Sequence, residues 1–170
     1  MAVKITGTGS VEAADFHDVK WVGTTKGGKA VTIEIKDAIN MGNMEWTYAE
    51  KNDIVPSITF TGTYDNTDEA ASDTTENWSI EIEGSSLPEG ADSIILGAGK
   101  LYIGQNLVAL SRGGGSFNVT REYRRINADG DRGPVKGRVV METSEATLTM
   151  NVLTVLASIA DLYTSIETSV

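Results

Sequence analysis

A chain of 170 residues is long enough to bury one hydrophobic core, and without cysteine it makes no disulfide, thiolate metal site or cysteine nucleophile. Its formal net charge of -10 repels phosphate backbones and counts against a nucleic-acid grip. No apolar run approaches the ~20 residues a spanning helix needs, and residues 1–10 lack a signal-peptide core, so synthesis in the cytoplasm is the expectation.

Period-two alternation dominates the chain and predicts half-buried strands. Residues 18–22 are a weak candidate. Val31, Ile33 and Ile35 then alternate with Thr32, Glu34 and Lys36. Residues 36–41 read as a single turn and residues 43–49 as another weak strand. Ile58, Phe60 and Tyr64 alternate with threonines, and Trp78, Ile80 and Ile82 with Ser79, Glu81 and Glu83. Residues 100–103 and 138–142 are weak candidates. Phe117, Val119, Arg121 and Tyr123 share one face, as do Ala146, Leu148, Met150 and Val152. The run from Val155 to Ile166 instead places apolar residues three and four apart, one face of an amphipathic helix. Glycines mark turns at Lys26-Gly27-Gly28-Lys29 and Arg112-Gly113-Gly114-Gly115. The fold class expected is mainly β, an antiparallel β-sandwich or partial barrel with one flanking α-helix, in a single domain over residues 1–170.

Three connections stand apart. Residues 66–77 (NTDEAASDTTEN) read as an acidic hairpin tip whose carboxylates are solvated, and residues 84–93 have linker composition. Residues 121–138 form a long charged loop, of the kind that carries function in compact domains. Charge is divided unevenly: residues 1–94 hold six basic and seventeen acidic side chains, residues 95–170 eight and seven. Six of the fourteen basic residues are Arg121, Arg124, Arg125, Arg132, Lys136 and Arg138. Interleaved with Glu122, Asp129 and Asp131, in a negative molecule, they suit a protein partner better than a nucleic acid.

Sites for chemistry find little support. His17 is the single histidine, and its neighbour Asp18 points to the opposite face of a strand. The run Asn127 to Gly133 imitates the start of a calcium loop but has Arg132 and Arg138 where glycine and glutamate are required. Gly97-Ala98-Gly99 and the triplet at 113–115 lack the context of a phosphate cradle and read as tight turns where backbones approach closely. No catalytic, cofactor or metal site is expected, and the chain is not read as an enzyme.

From Ile95 onward a series of segments resembles the opening half of siphophage-type tail tube proteins. They are Ile95 to Gly99 (ILGAG), Ser111 to Gly114 (SRGG), Arg121 to Tyr123 (REY), Asp129 to Gly137, Ala146 to Leu153 and a helix running to Glu167. The family's second half is matched by earlier residues: Ala14 to His17, Gly28-Lys29 with Val31 and Ile33, and Asp37 to Asn40 with Gly42 to Glu45. Ile58 to Phe60 with Tyr64-Asp65, and Asn77-Trp78 with Ile80, complete that half. Residues 4–83 thus correspond to the family's C-terminal half, 84–93 to a linker and 94–170 to its N-terminal half, a circularly permuted order. The resemblance implies a virion structural protein, six copies to a ring, and rings stacked into a tube through which DNA passes without specific binding. The partners implied are other copies and other tail proteins. It also implies that Met1 and Val170 lie close together. Arg121, Arg124, Arg125, Asp129, Asp131, Arg132, Lys136 and Arg138 are the expected subunit or ring interface, through pairing with acidic patches. A monomeric β-sandwich binding or decoration module is the alternative.

Overall fold

The computed structural model describes residues 4–7, 9–42, 55–64, 76–84, 86, 89–130, 132–133, 135–153 and 166–169. Among these, nine strands follow in order: β1 (Lys4–Gly7), β2 (His17–Thr25), β3 (Ala30–Ile39), β4 (Ser57–Gly62), β5 (Trp78–Ile82), β6 (Ile95–Ile103), β7 (Asn106–Arg125), β8 (Val139–Leu153) and β9 (Ile166–Ser169). Short 3-10 turns occupy Ala13–Asp15 and Gly90–Ser93.

Seven strands form one antiparallel sheet in the order β2-β6-β7-β8-β4-β3-β5, and β2 also pairs with β3. That extra pairing closes a ring of six strands, with β5 lying along the β3 edge that β4 uses further on. The strands of the first half, β2 to β5, form one arc of the sheet and β6 to β8 the other, joined through the β2–β6 and β4–β8 ladders. Neither half holds a complete sheet.

The alternation seen in the sequence is the alternation of burial. Val19 and Trp21 on β2, Val31 and Ile35 on β3, Ile58 and Phe60 on β4, and Leu101 on β6 are buried. Ala146, Leu148, Met150 and Val152 on β8 join them in one apolar cluster. Side chains two residues apart share a face, so a strand curling around a core buries every second residue. Trp21 explains two glycines. Its indole lies over Gly23 and Gly99, cross-strand partners on β2 and β6, where an added Cβ on either would meet the ring. The bulky ring fits because both neighbours lack side chains.

Several expectations are corrected. Residues 36–39 are not a turn, because β3 runs through to Ile39. Asp37 instead takes φ 46, and the β2–β3 register shifts between His17 and Val19. The bulge is held from both sides: the Asp37 amide donates to Asp18 Oδ1 at 3.3 Å, and its carbonyl accepts the Thr63 amide and hydroxyl at 3.2 and 2.6 Å. Ala38 and Ile39 are both buried behind it. The glycines at 113–115 are likewise not a turn between strands. They lie inside β7, where the register to β8 slips between Ser111 and Gly115 and Gly113 and Gly114 both have φ 88. Gly97 and Gly99 lie within β6. The turn at Lys26 to Lys29 does form, with Gly28 at φ 92 and the Thr25 amide donating to the Lys29 carbonyl at 2.8 Å.

Residues 84–93 end in a 3-10 turn that docks on this hairpin, the Lys26 amide donating to the Ile94 carbonyl at 2.8 Å and that of Gly27 to Ala91 at 3.2 Å. Residues 155–165 of the expected helix lie outside the described residues. Its last positions, Ile166 and Glu167, belong to β9 and so are strand. The weak strand at 43–49 also lies outside the described residues. β9 pairs antiparallel with β1, Lys4 opposite Ser169 through Gly7 opposite Ile166, which brings the two chain ends side by side.

Replacing Gly99 by alanine is expected to cost about 1–3 kcal/mol by forcing the Trp21 ring or the Val22 carbonyl to shift. Gly133→Ala, with open space around it, should stay within about 0.5 kcal/mol of the parent in urea denaturation. Because the ends are paired, a chain joined from residue 170 to residue 1 and opened within residues 85–88 should refold to the same circular dichroism spectrum. A molten or aggregated product would show that the β1–β9 pairing is not a native junction.

Candidate interaction surface

β7 and β8 continue their ladder from Leu110 opposite Leu153 out to Arg125 opposite Val139. The rest of the sheet does not follow them. β6 covers β7 only from Asn106 to Leu110, and β4 covers β8 only from Thr147 to Asn151. Residues 120–125 and 139–145 are therefore a two-stranded ribbon with no other strand on either edge among the described residues. At ~3.4 Å per residue it reaches roughly 17 Å past Thr120.

The ribbon carries the barrel's inner face outward. Pairing places Phe117 with Leu148, Val119 with Ala146, Arg121 with Ser144, Tyr123 with Met141 and Arg125 with Val139. The first two pairs pack in or against the core, whereas Tyr123 is 57% and Met141 46% exposed. Val139, Val140 and Ile126 are exposed as well. An isolated ribbon is marginal in water, and an apolar stripe on one is the mark of a surface completed by a partner.

Arg121 and Ser144 mark where the core ends, and Glu76 closes it. Its Oε2 accepts from the Ser144 hydroxyl at 2.7 Å, Trp78 Nε1 at 3.2 Å and the Tyr64 hydroxyl at 3.3 Å. Its Oε1 receives Arg121 Nη2 at 3.0 Å. The Arg121 guanidinium also lies 5.9 Å from the Trp78 ring centre, and that ring meets Phe117 at 5.5 Å between centroids. One carboxylate thus joins the end of β4, the start of β5 and both strands of the ribbon. The Ser144 hydrogen bond, foremost, with the Arg121 charge and the Trp78 and Tyr64 donors, holds the Glu76 carboxyl below the usual range against the opposing effect of partial burial. Glu76 is accordingly not one more solvated acid of the 66–77 loop. Residues 65–75 of that loop lie outside the described residues.

The eight expected interface residues do not act as one basic loop. Arg121 and Arg124 lie on β7 with partners in the same chain, Glu76 and Glu142. Arg125 ends β7, exposed. Asp129 precedes Gly130 at φ 94 in an exposed turn, and Asp131 lies outside the described residues. Arg132 and Lys136 are exposed in the connection. Half-buried Arg138 closes it, its carbonyl accepting the Ile126 amide at 2.8 Å.

Beside the ribbon's base runs a groove of about 740 Å³, with Glu76, Glu122, Glu142 and Glu145 on its walls and Tyr64 and Met141 among its apolar contacts. A smaller apolar cleft of about 170 Å³ opens where the start of β6 parts from the β7 bulge, above Trp21 and Leu148. The Ser111 hydroxyl bridges that split, accepting the Gly99 amide at 2.6 Å. Elsewhere His17 is exposed at the start of β2, while Asp18 is engaged with the β3 bulge.

The chain matches no protein-family model, no curated protein and no solved structure.

Glu76→Gln should lower stability at neutral pH by on the order of 1 kcal/mol, since the amide cannot serve all the donors that converge on the carboxylate. A carboxyl with a lowered folded pKa stabilises above its ordinary value of 4.5 and loses that contribution as pH falls through the folded value. The gap between parent and variant, followed by thermal melting from pH 7 to pH 3, should therefore narrow with acid. A gap that stays constant would mean Glu76 contributes packing alone.

Proposed function

We propose that this chain is a self-assembling structural subunit, the major tail tube protein of a bacteriophage with its two halves in permuted order. Stacked hexameric rings of it would surround a DNA-conducting channel in the virion tail. The observation that carries this reading is the β7–β8 ribbon. Its strand edges and its Tyr123–Met141 stripe have no cover among the described residues, and a neighbouring subunit would supply it. The two halves joined by ladders into one sheet, and the paired chain ends, support the permuted order read from the motifs. The net charge of -10 suits a bore that DNA must slide through without adhering. Other copies and other tail proteins are the partners, with no catalytic step.

Negative-stain microscopy and analytical ultracentrifugation test the reading, with six-fold rings or tubes as the expected result. Monomers at every concentration would favour the monomeric binding or decoration module instead. The double variant Tyr123→Ser, Val139→Ser removes exposed apolar groups, so its melting temperature should hardly move. Its assembly should need at least about tenfold more protein, as expected when apolar anchors leave an interface.

A further inference from the structure

The ribbon has two ends of opposite character. Arg125, Arg132 and Lys136, at its tip, enter no ion pair among the described residues. The same holds for Glu122 and Glu145 in the groove at its base, whereas Glu142 and Glu76 are paired with Arg124 and Arg121. Apolar groups match as well: Ile126 and Val135 are exposed at the tip, and Met141 and Tyr64 at the groove.

We propose that the basic tip of one copy's β7–β8 ribbon seats in the acidic groove at the ribbon base of a second copy. The inference rests on the self-assembly reading and adds to it the acceptor site. Within one copy the tip lies beyond the groove along the same ribbon: Glu145, opposite Thr120, is five residues or roughly 17 Å short of Arg125, and Glu122 three residues or roughly 10 Å. A second copy displaced along the ribbon axis meets no such constraint. The contact joins different surfaces of the two copies and leaves one tip and one groove free, so it can propagate, as a ring where the rotation between copies closes and as an open stack where it does not. Two observations favour another copy over nucleic acid as the occupant of the tip: the net charge of -10 and the carboxylates that line the groove beside the same ribbon.

Two charge-reversed variants test the pairing. A tip variant carries Arg132→Glu and Lys136→Glu, and a groove variant carries Glu122→Lys and Glu145→Lys. All four side chains are exposed, so melting temperatures verify that each variant folds. Each alone should raise the concentration at which assemblies sediment by at least about tenfold, because like charges then face each other. Mixed in equal amounts they should assemble again, since the acidic tip now meets a basic groove and the unreversed tip meets an unreversed groove. If either variant alone assembles as the parent does, the joint is refuted while the self-assembly reading stands. If both fail alone and the mixture fails too, the surfaces matter but do not face one another, and the joint is likewise refuted. A parent that never leaves the monomer refutes both. A monomeric parent that retains short duplex DNA, with retention lost in the tip variant, would assign the tip to nucleic acid and overturn the proposal.

Discussion

Every strand offers two rows of backbone donors and acceptors, and this fold is organised by where those rows find partners. β2 is the strand that decides it. By pairing with β3 on one edge and β6 on the other, it closes six strands on themselves and removes the free edges a flat sheet would keep. Closure also joins the two halves of the chain, since β2 comes from the first and β6 from the second. The β4–β8 ladder makes the second such join on the far side. What closure cannot reach is the outer part of β7 and β8, which are longer than their neighbours. The surplus becomes the ribbon.

The end of the core and the start of the ribbon are set by one change in residue type along one face. Phe117 and Val119 on β7 are apolar and packed, and the next residue on that face is Arg121. A guanidinium at the mouth of a core needs a carboxylate and tolerates an aromatic face, and Glu76 and Trp78 supply both. Glu76 in turn carries four donors, so the cluster holds the loop ends at Tyr64 and Glu76 against the ribbon. The acidic groove has its shape because of this cluster: β4 stops, and among the described residues no strand pairs with the β8 edge beyond.

The bulges show how local exceptions serve closure. A strand that bends around a small core must break its pairing register somewhere. Two of the breaks lie at Asp37 in β3 and at the glycines of β7, residue types that tolerate positive φ. Trp21 filling the space over Gly23 and Gly99 is the complementary device, a large side chain admitted where two backbones carry none.

Much of this was legible in the chain itself. The alternation of Val31 with Ile35, Ile58 with Phe60, and Ala146 through Val152 marks strands and their buried faces, because side-chain direction on a strand is a local property of the backbone. Cysteine content and net charge likewise bounded the chemistry without any fold. The turn expected at residues 36–41 and the one expected at 112–115 became bulges for a non-local reason. Whether a Gly- or Asp-containing segment turns or bulges depends on whether the strand beyond it finds a partner, and those partners lie far off in sequence. Glu76 looked like any other acid in a polar loop, because its donors Ser144 and Arg121 are 68 and 45 residues away. The same distance hid that Arg121 is already matched by Glu76. The sequence by itself determined which residues form strands, which faces are apolar and where charge is concentrated. Only the tertiary structure decided which edges stay open, which charges are already matched and how the ribbon projects, because each of these depends on strands that meet only when the sheet closes.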